Sequence, residues 1–192
     1  MEYFLMILGV VFLIVLGFLS YALSRPDTFK IQRSTEINAA PEVIFPLIND
    51  LHAWEAWSPW EKLDPALKRK HSGAAMGKGA VYEWEGNSKV GQGRMEIIES
   101  QPSSLVTIKL NFIRPFSAEN NAEFSLDDHR GSATHVTWSM TGRNPTTMKI
   151  MGLFINMDKL IGKDFEAGLA DMKAAAEKRS GALEAMNRDS RT

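Results

Sequence analysis

The sequence predicts an α+β domain, a curved antiparallel sheet closed by one long C-terminal helix, with a separate apolar helix ahead of it. Three observations predict this. Residues Tyr3 to Leu23 carry no charge. Between Ala80 and Thr141, apolar side chains alternate at period two in short runs separated by turn residues. From Ile150 to Met172 the apolar residues return every three or four positions, the period of an amphipathic helix.

The first element is the uncharged run YFLMILGVVFLIVLGFLSYAL. As a helix it spans roughly 32 Å, close to the thickness of a hydrocarbon core of about 30 Å. Tyr3 and Tyr21 stand near its ends, where amphipathic rings prefer the interface. Gly9 and Gly17 are not at the spacing of a helix-dimer motif. Residues 1–24 are therefore expected to be a membrane anchor, with residues 3–23 in the bilayer. Ala22-Leu23-Ser24 has the small-x-small spacing of a signal-peptide cleavage site, which is the alternative. Against cleavage, no Lys or Arg precedes the run, and the run is longer than a usual signal core. Arg25, Lys30 and Arg33 follow the span, so the positive-inside rule places the following domain in the cytoplasm.

Residues 25–28 form a linker, because Pro26 cannot continue the helix. The main domain is expected over residues 29–179. Phe29 to Ile37 is strand-like, and Pro41-Glu42 opens a helix through Val43, Phe45, Leu47 and Ile48 that Pro46 shortens or bends. Strands follow over Ala80–Glu85, Gly93–Glu99, Leu105–Ile113, Ala122–Leu126 and His135–Thr141, with a further one around Lys68–Gly73. Gly86-Asn87, Gln101-Pro102, Arg114-Pro115 and Arg130-Gly131 supply the turn chemistry between them. The long helix is expected from Thr146 to Arg179, its stripe made of Ile150, Phe154, Met157, Ile161, Phe165, Leu169 and Met172. Ser180-Gly181 is expected to end it, leaving residues 180–192 as a mobile tail.

Charge excludes several function classes. All 22 Lys and Arg lie after the apolar run, against 22 acidic residues once Glu2 is set aside, so the domain is formally neutral. A neutral domain lacks the cation excess that neutralises phosphates, and no nucleic-acid partner is expected. Lys68-Arg69-Lys70 reads as a solvated strand face or turn. The chain has no cysteine, and His52, His71, His129 and His135 show no paired-ligand spacing, so neither a metal nor a cofactor is expected. Gly77-Lys78-Gly79 and Gly91-Gln92-Gly93 read as turns rather than phosphate loops. No nucleophile elbow is present, and no catalytic residue is assigned.

A family resemblance rests on residues spread from Phe29 to Lys178. They include Ile37-Asn38-Ala39-Ala40-Pro41-Glu42-Val43-Ile44-Phe45, Ile48-Asn49-Asp50, Trp54 and Trp57-Ser58-Pro59-Trp60. Further on stand Gly77 and Gly79, Trp84-Glu85-Gly86-Asn87, Gly91-Gln92-Gly93-Arg94-Met95 and Thr134-His135-Val136-Thr137-Trp138. In these the chain resembles the START-like, Bet v1-like (SRPBCC) superfamily, and within it the bacterial polyketide cyclase/dehydrase branch. The resemblance implies the helix-grip fold, with a cavity between sheet and C-terminal helix that holds a lipid-like or aromatic small molecule. Strand parity then nominates Tyr82 and Trp84, Leu110 and Phe112, and Trp138 and Met140 as lining residues, with Phe154 and Met157 from the helix stripe. Trp54, Trp57 and Trp60 mark a loop that would close one end. The alternative for each ring is that it fills a core.

The expected function is therefore a membrane-anchored protein that binds a hydrophobic or amphipathic small molecule. Two alternatives stay open. One is a cyclase/dehydratase-type enzyme using polar groups of the cavity, with Glu83, Glu85, Asn87, Arg94, Glu96 and Asn111 available. The other is an interaction domain of the chaperone-activator kind.

Overall fold

The structure, a computed structural model, describes residues 1–129 and 133–190, the side chain of Asn187 excepted. The turn expected at Arg130-Gly131 lies outside the described residues.

Seven strands form one antiparallel sheet. In chain order they are β1 (Thr28–Ile37), β2 (Lys68–Gly73), β3 (Ala80–Glu85), β4 (Gln92–Gln101), β5 (Leu105–Arg114), β6 (Ala118–His129) and β7 (Ala133–Arg143). Their spatial order is β1-β7-β6-β5-β4-β3-β2, so the meander from β2 to β7 is closed by β1 pairing with β7. Four helices accompany it: α1 (Glu2–Ser24), α2 (Pro41–Asn49), α3 (Thr146–Met151) and α4 (Met157–Asp189). Two short 3-10 turns, Leu51–Ala56 and Pro59–Lys62, carry the tryptophan-rich segment. This is the helix-grip architecture, a curved sheet against a long C-terminal helix, and every strand expected from the sequence is present.

Alternation decides the buried face. In β4, Gly93, Met95 and Ile97 are buried and Ile98 is exposed by alternation; a bulge between Ile97 and Glu99 then adds a residue and resets the parity, so Glu99 is exposed as well. The core gathers Ile44, Leu47 and Ile48 of α2, Ile108, Phe124 and Val136 of the sheet, and Phe165, Leu169 and Met172 of α4. Helix α4 packs along β1 and α2. Arg33 of β1 fastens it, its Nε donating to Glu166 Oε1 at 2.7 Å and its Nη1 to Asp158 Oδ1 at 3.1 Å. A side chain at Gly162 would collide with that guanidinium.

Two helix expectations need correction. The single helix expected from Thr146 to Arg179 is broken at residues 152–156, because the Asn156 side chain accepts the Lys159 N–H at 2.9 Å and starts α4 afresh. Nor does Ser180-Gly181 end α4, which continues to Asp189. The flanking Ala182, Leu183, Glu184, Ala185 and Met186 favour helix, and one interior glycine costs only about 1 kcal/mol. Residues 180–189 are thus helical rather than a tail. Pro46 sits inside α2 without stopping it, at the cost of one helix hydrogen bond.

Helix α1 is long and apolar enough to cross a membrane, by length and composition. Its side chains are exposed throughout except Ala22, which is buried where the end of α1 meets α3.

Candidate functional site

Between the sheet and α4 lies a cavity of about 330 Å³. Strand parity aims Tyr82 and Trp84 of β3, Met95 of β4, Leu110 and Phe112 of β5, and Trp138 and Met140 of β7 at the same side of the sheet. All of them line the cavity. Gly93 makes room for this, since a Cβ there would collide with the Trp84 ring. The indole Nε1–H of Trp84 donates to the Val90 carbonyl at 3.3 Å, and Phe112 meets the Trp84 ring edge-on at 5.8 Å. From the other side come Ile161, Asp164 and Phe165 of α4, and Trp54 and Trp60 of the 3-10 turns.

Three residues nominated from the sequence stand elsewhere. Trp57 is fully buried, and its Nε1–H donates to the Leu47 carbonyl at 2.7 Å. It fills the core beside Phe124 and Trp138, because α2 covers that end of the sheet. Phe154 lies in the break between α3 and α4 and is 81% exposed, since the stripe it was assigned to starts only at Met157. Met157, in the first turn of α4, borders a separate cavity.

The polar groups in the wall were not the ones nominated. Glu61, whose side chain is only 7% exposed, accepts the Tyr82 hydroxyl on Oε1 at 2.6 Å and Arg69 Nε on Oε2 at 2.6 Å. Burial, reinforced by the Glu61 carboxylate, pushes the Tyr82 phenol well above its ordinary value. The Glu61 carboxylate in turn raises the Arg69 guanidinium. Lys68, Arg69 and Lys70 are all exposed, as expected of a solvated strand; Arg69 turns to Glu61 while Lys68 and Lys70 face Glu85 and Glu83. Asp164 has a carboxyl raised by burial, and among the described residues it has no hydrogen-bond or ion-pair partner. The Nε1–H of Trp138 is buried with no acceptor among the described residues. Two histidine rings extend the Tyr82–Trp84 stack: His71 on Tyr82 at 4.8 Å and His52 on His71 at 3.9 Å. Burial, with His52 beside it, lowers the His71 imidazole.

The sequence offered weak signals for these groups. Glu61 follows Trp60 directly, but a 3-10 turn has no strand parity to read. Asp164 lies three residues after Ile161 and so on the apolar stripe, where a carboxylate is out of place. By contrast, Glu83, Glu85, Arg94 and Glu96 lie on the sheet face away from the core. Arg94 pairs with Glu96 at 2.8 Å and Glu85 with Arg114 at 3.2 Å. Neither these four nor Asn87 and Asn111 line the cavity. Among the described residues, no group of three His, Asp or Glu side chains stands together in a way that could hold a metal ion.

The sequence profile of the family described as "Polyketide cyclase / dehydrase and lipid transport" matches residues 28–177. No curated protein sequence matches the chain. Solved structures share the fold at low identity. The Zhui aromatase/cyclase of Streptomyces sp. R1128 superposes with a TM-score of 0.57 at 10% identity, over 79% of this chain and 95% of its own. The ginseng (Panax ginseng) major latex-like protein 151 gives 0.55 at 18%, over 78% and 97%. The Aha1 dimer of Colwellia psychrerythraea gives 0.55 at 16%, over 78% and 96%. At these identities the likeness concerns the fold alone.

Proposed function

Because this chain belongs to the polyketide cyclase / dehydrase and lipid transport family of the SRPBCC superfamily, we propose that it binds an apolar or amphipathic small molecule at a membrane surface. The observation that carries the reading is the 330 Å³ cavity with its aromatic wall and few polar groups. That volume is in the range of small-molecule sites, and the composition is theirs: apolar surface for affinity, isolated polar atoms for orientation. Tyr82, Trp84, Leu110, Phe112 and Met140 contact the ligand's body, with Trp54 and Trp60 at the far side. Helix α1 anchors the domain at the bilayer, where apolar molecules concentrate. The cations Arg25, Lys30 and Arg33 favour a cytoplasmic domain.

Native mass spectrometry of the full chain released from detergent micelles, followed by organic extraction, tests the reading. A co-purifying molecule of lipid or aromatic type is the expected result. A bare chain after incubation with a lipid and polyketide-like panel contradicts it. The same spectrum reports whether residues 1–24 are retained, as an anchor requires.

An enzymatic reading has one observation in its favour, the unpartnered carboxyl of Asp164 in an apolar wall. Burial raises that carboxyl above its ordinary value, the direction a proton-donating group needs. Turnover of a cyclisable polyketide mimic, abolished in Asp164→Asn, would establish it; no turnover by the native chain would dismiss it.

A further inference from the structure

A second cavity, of about 740 Å³, adjoins the first. Phe112, Arg114, Pro115, Met140 and Ile161 line both, so one layer of side chains separates them. Its outer wall is α3, through Thr147, Met148, Lys149 and Met151. Helix α3 packs against the end of α1, and Arg25, the first residue after α1, is itself part of the wall. The linker between α1 and the sheet is pinned there. Asn144 Nδ2 donates to the Pro26 carbonyl at 3.0 Å, and the buried Lys149 ammonium holds Asp27 at 2.7 Å. If α1 spans a bilayer, this cavity stands at the membrane surface.

Its charge fits that place. Arg25, Lys30, Arg114, Arg143 and Lys149 line it against a single carboxylate, Asp158, which Arg33 engages. Glu85 pairs with Arg114 and Asp27 with Lys149. Lys30 and Arg143 are exposed and, among the described residues, have no acidic partner. The same cavity is lined by apolar side chains that a water-facing surface would not select: Phe116, 74% exposed, and the exposed Ile155, which follows the exposed Phe154 in the chain. Exposed aromatics among unpaired cations match an anionic membrane interface.

We propose that the second cavity is a membrane-side portal for an anionic amphiphile of the fatty-acid type. On entry its carboxylate meets Lys30 and Arg143 in passing, and the molecule then moves between Phe112 and Met140 to rest in the inner cavity. The proposal rests on the reading of α1 as an anchor and of the inner cavity as a binding site, and it adds the ligand's charge and its route.

The test uses full-length protein in vesicles of phosphatidylcholine and phosphatidylglycerol, with parinaric acid, a fluorescent fatty acid, delivered from donor vesicles. Energy transfer from the cavity tryptophans reports both the rate of uptake and the final occupancy. Two exposed-site variants are compared with the native chain: Lys30→Glu with Arg143→Glu, and Phe116→Ser with Phe154→Ser. The charge variant removes two cations worth about 1 kcal/mol each near an anionic surface and is expected to slow uptake about thirtyfold; the ring variant is expected to slow it less. Final occupancy should stay near that of the native chain. Unchanged rates in both variants overturn the portal. So does a fall in occupancy that matches the fall in rate, which would mean that the cations hold the ligand at rest. No uptake by the native chain overturns it as well, whereas the binding reading is judged separately by whether mass spectrometry finds a molecule in the cavity.

Discussion

The buried face of the sheet has two halves built from the same kinds of residue. In one, Trp57, Phe124, Trp138 and Phe165 pack ring on ring, with Phe124 on Trp138 at 4.8 Å and Trp138 on Phe165 at 4.0 Å, the last two forming its border with the cavity. In the other, Tyr82, Trp84 and Phe112 meet one another but enclose open space. The difference is the cover. Helix α2 and the Trp57 indole, hydrogen-bonded to Leu47, close the first half. Over the second, α4 presents Ile161 and the carboxylate of Asp164, which do not fill the gap. Strand parity chooses which way a ring points; whether it packs solid depends on an element distant in sequence.

This comparison is broken most directly at its filled half. Trp57→Ala should cost about 3–5 kcal/mol, the usual loss for a large core aromatic. Trp84→Ala, where the ring borders a void, should cost much less and instead lower ligand occupancy. Chemical denaturation followed by circular dichroism measures both, and equal losses would erase the distinction. A smaller effect is expected at the polar anchor. Glu61→Gln takes the charge from a carboxylate shared by Arg69 and Tyr82, and should destabilise by about 1–3 kcal/mol.

The pH dependence sharpens the contrast further, because the hollow half alone carries a carboxyl raised by burial without a partner. The folded chain binds the Asp164 proton more tightly than the unfolded chain does. Its penalty on stability is therefore absent below the unfolded value of about 3.9 and grows as pH rises through the raised folded value. Asp164→Asn should melt higher than the native chain at neutral pH. The gap should close as the pH falls to the acid range. Paired thermal melts across pH check the sign.

Most of the fold was legible because its signals are local. The apolar run of α1, the alternation of β5 and β7 and the stripe of α4 are each contained in one segment. The break at residues 152–156 was hidden because Phe154 happened to keep the helical period across it. Asn156, a capping residue, was the clue. Of the site, the residues fixed by parity in β3, β5 and β7 were readable. Trp54 and Trp57 were not separable by sequence, since one lies in a 3-10 turn and the other in the link that follows it, neither with a strand parity to read, and only their partners, Ile48 and Leu47, decide their fates. Glu61 was missed for the same reason.

The central claim is that the hollow half exists to hold a molecule. Leu110→Trp tests it, since the larger ring occupies the cavity without entering the packed half. Parinaric acid binding and thermal melting would be measured on the same full-length sample. The account predicts that binding falls at least tenfold while the melting temperature holds or rises, because filling an empty space adds contacts instead of strain. Undiminished binding in a folded Leu110→Trp chain would contradict it.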